Sequence, residues 1–406
     1  MKILEPMPST VPGVGEVLRD FGPAYAASGF LGLVFAASGP TAIILSVGAM
    51  GGLSSDQIAS WFFGVFFVNG LITITLSWLY RQPLGVYWTI PGTVLVGPAL
   101  THLSFAEVVG AFYVTGLIIL AVGASGWVRR AMQAVPMPII MAMVAGVFLK
   151  FGLDLVKTVR GDIALGLPMT AAFLLLSAVP NLGRRVPPLL GALLVGAIVI
   201  VGLGRFDAST VGSFQVAHPV LAHPAWSANA MLELVIPLAI TVLVVQNGQG
   251  FAVLAQAGHA APVNASTVAC GIGSLAAASV GAISSCVTGP TNALLVSTGE
   301  PRRHYTAAIW MGLLATVFGL LSPAFTRLLL AAPREYIALV AGFAMLRVLQ
   351  AAFVTAFRDR FSLGALVCFL VTVADVTVLN VGGAFWGLVA GLAISRLLER
   401  PDFRVA

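Results

Sequence analysis

The chain has 406 residues, 59% of them hydrophobic and 9% charged, with a net charge of +6 and a mean hydropathy of +1.00. That composition excludes a water-soluble globule, and apolar runs that continue for about twenty residues without alternating exclude an outer-membrane barrel. What remains is an all-α polytopic protein in a lipid bilayer, expected in the cell inner membrane.

The surplus basic residues are scattered through loops and not gathered on one face, so they report topology and give no sign of a nucleic-acid partner. Cys270, Cys286 and Cys368 all fall in apolar segments without CxxC or Cys/His spacing, so neither a disulfide framework nor a metal site is expected. Walker A, HExxH and GxSxG motifs are missing, and no cofactor or enzymatic activity is expected.

Residues 1–23 carry Lys2, Glu5, Glu16, Arg19 and Asp20 and lack a small-residue cleavage site after a short apolar core; they read as a cytoplasmic segment without a cleaved signal peptide. Hydropathy then predicts about fourteen segments: 24–50, 57–80, 84–101, 104–124, 136–153, 163–181 and 187–204, a polar extracytoplasmic loop at 205–227, then 228–256, 263–280, 282–298, 304–330, 334–355, 361–379 and 380–398. Residues 399–406 form a cytoplasmic tail. With both termini cytoplasmic, about fifteen Lys and Arg fall inside and about six outside, Arg347 being counted among the inner ones. Seven segments per half is an odd number, so two halves of shared fold must be inverted across the membrane.

The third segment of each half is interrupted. Gly281 to Val296 places small and hydroxylated residues before Gly289-Pro290, and Leu84 to Val96 repeats the plan around Pro91. Pro has no N–H and a φ suited to a first helical turn, so each reads as an extended run feeding a half-length helix; a packed proline kink is the alternative. Irregular backbone at membrane depth persists only where protein or a water-filled cavity satisfies it. The first segments are disrupted too, at Ser38-Gly39-Pro40-Thr41 and at Gln246-Asn247-Gly248-Gln249-Gly250.

Two helix N-termini, opening at Pro91 and Pro290, would carry partial positive charge and free N–H donors to one midplane spot. Thr89, Gly92, Thr93, Thr288, Gly289, Thr291 and Asn292 surround them, and Ser38, Thr41, Gln246, Asn247 and Gln249 complete a neutral, donor-rich candidate site suited to a small anion. An amide network between helices is the alternative for the Gln246–Gln249 group. Replacing Asn247 or Thr291 with a similarly sized apolar residue is expected to weaken binding and spare the folded yield. Phe35, Tyr87, Trp88 and Phe251 could flank a planar ring, although packing is the commoner role. Asp375 and Glu233 are the intramembrane carboxylates nominated as proton carriers, while Glu107 reads as interfacial. Thirteen residues, about 20 Å of helix, separate Glu233 from Gln246, so Glu233 is expected nearer the outer surface.

The run Val244 to Leu254 with its QNGQG string, the following Pro262-Val263-Asn264, and Thr288-Gly289-Pro290-Thr291-Asn292-Ala293 resemble the benzoate:proton symporter (BenE) family over essentially the whole chain. That family in turn resembles nucleobase and sulfate or bicarbonate transporters. The resemblance implies a seven-plus-seven inverted repeat with a moving core (24–124 and 228–330), a gate (125–204 and 331–398), often a dimer through the gate, and substrate held between segments 3 and 10. Where the nucleobase branch has acidic residues in segments 8 and 10, this chain has Gln246 and Pro290, which favours an anion over a neutral base. The expected function is import of benzoate or a similar aromatic carboxylate with a proton, driven by the proton gradient, through an elevator-type motion. A uniporter, exchanger or channel for another small anion or a nucleobase-like planar substrate is the alternative.

Overall fold

A computed structural model describes residues 4–8, 10–133, 135–179, 186–211, 215–375, 378 and 382–404. Among these, six helices are long and apolar enough to cross a membrane, and the pair Pro301–Leu320 and Ser322–Leu330, bent by 68°, makes a seventh. Six further apolar helices have only 10–17 residues, or about 15–26 Å at helical rise against an apolar slab of about 30 Å. Length alone therefore supports six or seven crossings, fewer than the fourteen segments that hydropathy predicts.

In chain order the helices and strands that position the site are α1 (Pro23–Ala37), α2 (Gly39–Met50), α3 (Ser55–Tyr80), β1 (Val86–Trp88), α4 (Ile90–Ala99), α5 (Phe105–Ser125), α6 (Met137–Gly161), α7 (Ile163–Ala178), α8 (Pro188–Gly202), α9 (Ala228–Gln256), α10 (Val263–Ala278), β2 (Ser285–Val287), α11 (Gly289–Leu295), α12 (His304–Leu320), α13 (Ser322–Leu330), α14 (Arg334–Phe357), α15 (Ser362–Ala374) and α16 (Gly383–Leu398). In one packed group α12 lies on α1 and α3, α5 on α10, and α11 on α1 and the end of α9. In the other α6 lies on α14 and α15, α15 on α16, and α7 on α8. The groups meet where α2 crosses α14 and α4 crosses α6.

Small residues set the close crossings. A Cβ on Gly70 of α3 would meet the Gly312 carbonyl at 2.7 Å, and one on Gly312 of α12 would meet the Gly70 carbonyl at 2.8 Å. Without a hydrophobic drive between helices in lipid, such backbone approach is what association relies on. Gly39 plays the same part where the groups meet, because a side chain there would collide with Ala344 of α14.

Three of the four expected irregular segments fall where the sequence placed them; the fourth, Gln246–Gly250, is not disrupted, the irregular turn lying just before it. α1 and α2 break at Ser38 (φ −94°, ψ −96°). There the Thr41 hydroxyl donates to the Ala37 and Ser38 carbonyls at 2.8 and 2.7 Å, and the Ser38 hydroxyl to the Phe35 carbonyl at 3.0 Å. α9 does not unwind at its amide cluster. It carries two π-helical turns, Met231–Val235 and Thr241–Gln246, and continues as regular helix from Asn247 to Gln256. Each π turn inserts a residue and re-aims the side chains around it.

β1 and β2 form a two-stranded antiparallel ladder in the register Val86↔Val287, Tyr87↔Cys286, Trp88↔Ser285. It extends at both ends in matching fashion, Thr89 N–H donating to the Ser284 carbonyl at 3.1 Å and Thr288 N–H to the Gly85 carbonyl at 3.2 Å. Both edges of so small a sheet would be orphaned in a membrane. Side chains from neighbouring helices satisfy them: Val86 N–H donates to Thr73 Oγ1 (2.9 Å), Ser285 N–H to Ser274 Oγ (3.0 Å) and Val287 N–H to Asn247 Oδ1 (2.8 Å).

In the connection between α9 and α10, His259 sits between Gln82 (3.1 Å) and His304 (3.0 Å). Burial, and secondarily the neighbouring His304, push its pKa down to about 4.

Two predictions follow from this scaffold. Thr73→Val, which keeps the shape and strands the buried Val86 N–H, should cost about 1–3 kcal/mol and lower the melting temperature of detergent-solubilised protein. Thr75→Val, whose exposed hydroxyl bonds only the Leu71 carbonyl of its own helix, should not; equal melting temperatures would show the strand edge does not depend on Thr73. Because the folded state disfavours protonated His259, its contribution is complete above the ordinary histidine pKa of about 6.5 and is lost as pH falls toward 4. His259→Gln should flatten the fall in melting temperature over that interval.

Candidate functional site

The ladder fixes where two helices begin. α4 starts directly after β1, with Thr89 as its N-cap accepting from Gly92 N–H at 3.1 Å and donating to Thr241 Oγ1 at 3.0 Å. Gly92 is required there because a Cβ would run into the Thr89 methyl. α11 starts directly after β2, with Thr288 at its N-cap. The strands run in opposite directions, so the helices leave the ladder in opposite directions and Pro91 and Pro290 open both of them onto one cavity of about 730 Å³.

The QNGQG motif divides its labour by helical spacing. Asn247 faces the strand, and Gly250 lets the strand come close, since a Cβ there would meet the Val287 carbonyl at 2.6 Å. Gln246 and Gln249, three residues apart on the adjoining face, line the cavity. Gly289 permits that approach, because its Cβ would stand 2.9 Å from that of Gln249.

At the base of the cavity a narrow recess is bounded by Phe35, Tyr87, Trp88, Gln246, Thr288 and Thr291. Four of the residues that bound this recess of about 10 Å³ carry a buried polar atom without a hydrogen-bond partner in the protein: Gln246 Oε1, Thr288 Oγ1, Tyr87 OH and Trp88 Nε1. Unpaired buried polar atoms are costly, so their concentration beside two helix N-termini marks a place built for a polar ligand. The walls above are apolar: Phe35, Ile90, Met141, Val144, Phe173 and Phe343.

The structure gathers Pro91, Gln246, Gln249, Thr288, Pro290 and Thr291 around this space and gives other duties to the rest. Asn292 clamps the opposing strand, accepting from Gly85 N–H at 2.9 Å while its Nδ2 donates to the Gly85 carbonyl at 2.9 Å and the Thr288 carbonyl at 2.7 Å. Thr93 turns its hydroxyl back to the Thr89 carbonyl at 2.9 Å. Ser38 and Thr41 stabilise the α1–α2 break, as described, and neither lines the cavity. Asn247 is fully buried and holds Val287, so the expectation that an apolar replacement spares the folded yield does not survive: such a change strands a backbone N–H. Phe251 lies in a different cavity.

A second cavity, of about 520 Å³, lies at the other ends of the same helices: the end of α4, the second half of α6 and the first half of α14. Glu233 and Asp375 both line it. Glu233, 6% exposed, receives a hydrogen bond from the Gly382 backbone and stands 2.9 Å from His102 Nε2. Asp375 is exposed at the end of α15, with φ 47°, while the residues 376, 377 and 379–381 beyond it lie outside the described ones. His102 was missed in the sequence because its partner is 131 positions away. Arg347 was missed because it had been counted as a loop charge; it lines the first cavity.

The profile of the family described as benzoate membrane transport protein, BenE, matches residues 19–397. The inner membrane protein YdcO of Escherichia coli K12 is 29% identical over 90% of this chain and 93% of its own length. A benzoate membrane transport protein of Acinetobacter baylyi is 27% identical over 94% of this chain and 97% of its own. Among solved structures the chain is similar to SLC26A9 (TM-score 0.65, 15% identity, 95% of this chain and 67% of that one) and to the transmembrane domain of the cyanobacterial bicarbonate transporter BicA (0.62, 17%, 90% and 97%). Those likenesses establish a mostly helical, polytopic transporter fold, and the profile match across nearly the whole length makes this chain a member of the BenE family of membrane transport proteins.

Proposed function

We propose that the chain imports benzoate or a closely similar aromatic carboxylate together with a proton. The observation that carries this reading is that two oppositely directed helix starts open onto one apolar-walled cavity, beside a recess bounded by four residues with unpartnered buried polar atoms. A carboxylate matches the base and a benzene ring matches the walls, so the amphipathic ligand and the cavity have the same polarity along one axis. Absence of an acidic side chain among the described lining residues keeps repulsion out of the seat.

In this reading, segments around the ladder form the moving core and α6–α8 with α14–α16 form the gate. The matched hydrogen bonds at the two ends of the ladder support an inverted repeat, with α4 and α11 as half-length helices and fourteen segments in all. The two cavities at opposite ends of α4, α6 and α14 support alternating access, the larger one opening toward the cytoplasmic, Arg-rich side. Small residues at the seam, Gly39 against Ala344, suit an elevator-type slide.

An anion moving inward against 100 mV meets about 2.3 kcal/mol of opposition, which one co-transported proton removes. Glu233, paired with His102 in the second cavity, is the carboxylate best built to hold that proton, being buried and doubly hydrogen-bonded, whereas Asp375 is exposed.

Proteoliposomes should concentrate benzoate when an inward proton gradient is imposed, and full concentrative uptake without any ion gradient would refute coupling. Glu233→Gln should abolish gradient-driven accumulation and keep benzoate counterflow, while Asp375→Asn keeps both; undiminished accumulation in Glu233→Gln would move the proton site elsewhere. For the seat, Gln246→Leu and Thr288→Val should each weaken benzoate binding about tenfold or more, the scale of one hydrogen bond to a charged group, without lowering the ligand-free melting temperature. Unchanged affinity in both would remove them from the site.

A further inference from the structure

Arg347 lies within α14, ten residues before its end at Phe357 and thirteen after its start at Arg334. At about 1.5 Å per residue it stands roughly 15 Å inside the nearer helix end, too deep to be an ordinary interfacial charge. Its side chain is exposed, and the space it faces is the 730 Å³ cavity that Pro91, Pro290 and Gln246 also line.

Within that cavity Arg347 is the one charged residue among the described lining residues. Its recorded polar contact is a 3.1 Å hydrogen bond to Gln350 Oε1, one turn along the same helix, which leaves most of the guanidinium's five donors uncommitted. Its nearer neighbours on the wall are apolar: Phe343, Ala344, Val348 and Ala351. A cation at membrane depth, in a mainly apolar cavity and without an acidic partner there, is a functional group by default, and the partner it lacks is an anion.

We infer that Arg347 is the gate-side counter-ion for the substrate's carboxylate, a specificity-determining residue that favours the anion over a neutral ring of the same shape. This rests on the substrate reading above and adds to it a contact from the second packed group. The helix tips at Pro91 and Pro290 belong to one group and Arg347 to the other. An anion between them is therefore held by both bodies in the cytoplasm-open arrangement, and Arg347 offers it a bidentate partner on the way out of the recess.

The test is binding of benzoate, its neutral isostere benzamide, and bicarbonate to purified wild-type, Arg347→Gln and Arg347→Lys proteins, with ligand-free melting temperature as the folding control. Arg347→Gln should bind benzoate ten- to thirtyfold more weakly and benzamide within twofold of wild type, so that discrimination between the two collapses. Arg347→Lys, which keeps the charge, should recover most of the benzoate affinity and thereby separates charge from fold if Arg347→Gln proves unstable. Unchanged benzoate affinity in Arg347→Gln, or equal losses for benzoate and benzamide, would overturn the assignment. If wild-type protein binds bicarbonate but no aromatic carboxylate, and does so only with a cation at 347, the counter-ion role stands and the substrate reading fails.

Discussion

Everything in this protein depends on keeping six residues of extended backbone hydrogen-bonded within a helical membrane protein. β1 and β2 satisfy one another along their shared edge, and the opposite edges are met by single side chains, Thr73, Ser274 and Asn247, each contributed by a different helix. Lipid offers no substitute partner, so these side chains are as necessary to the fold as the apolar surfaces that bring the helices together. The ladder then performs a second task. By ending two strands in opposite directions it starts two helices from the same depth, and helix starts cannot bond their own first N–H groups. The fold thus creates donors for a ligand as a consequence of satisfying its backbone elsewhere.

This explains why so much of the architecture was legible in the sequence. Pro91 and Pro290 mark helix starts inside apolar runs because a first turn is where proline costs the helix no hydrogen bond, whereas Pro98 and Pro168 lie deeper in their helices and mark no start. Both the short strands and the short helices follow from that one property. The break at Ser38 was legible for a similar reason, since Gly and Pro interrupt helical periodicity, and the amide cluster after Gln246 pointed only to the neighbourhood of a π turn. Their forms were not. Whether a disrupted turn opens, as at Ser38, or widens into a π turn, as at Thr241–Gln246, is decided by neighbours that packing supplies.

The division of the site residues was harder to read because an amide or hydroxyl can serve a ligand or a backbone equally well. Asn247 and Gln246 are adjacent and chemically alike, yet one turns to the strand and the other to the cavity; a single residue of helical rotation separates scaffold from site. Asn292 and Thr93 look like ligand contacts for the same reason and hold backbone instead. His102 and Glu233 needed tertiary structure, since nothing local links positions 131 apart. Arg347 was visible as a charge in an apolar run, and the topology count absorbed it; the depth of a charge within its helix carries as much information as its sign.

Under the proposed function, the distribution of charge over the two cavities also separates the handling of two ions of opposite sign. The larger cavity holds a cation and helix N-termini with no acidic lining among the described residues, conditions that lower the free energy of an anion. The smaller one is lined by three carboxylates, Asp154, Glu233 and Asp375, with His102, Lys150 and Lys157, titratable groups of the kind the proposed proton transfer needs. Neither set would work in the other's place: a carboxylate in the seat would repel the substrate, and an arginine beside Glu233 would hold it ionised and unable to take a proton. In the proposed mechanism the two separated sites communicate through motion of the body that carries them. α4 begins in one cavity and ends in the other, and α9 carries Gln246 in one π turn and Glu233 in the other, so rigid displacement of that pair moves both sites at once.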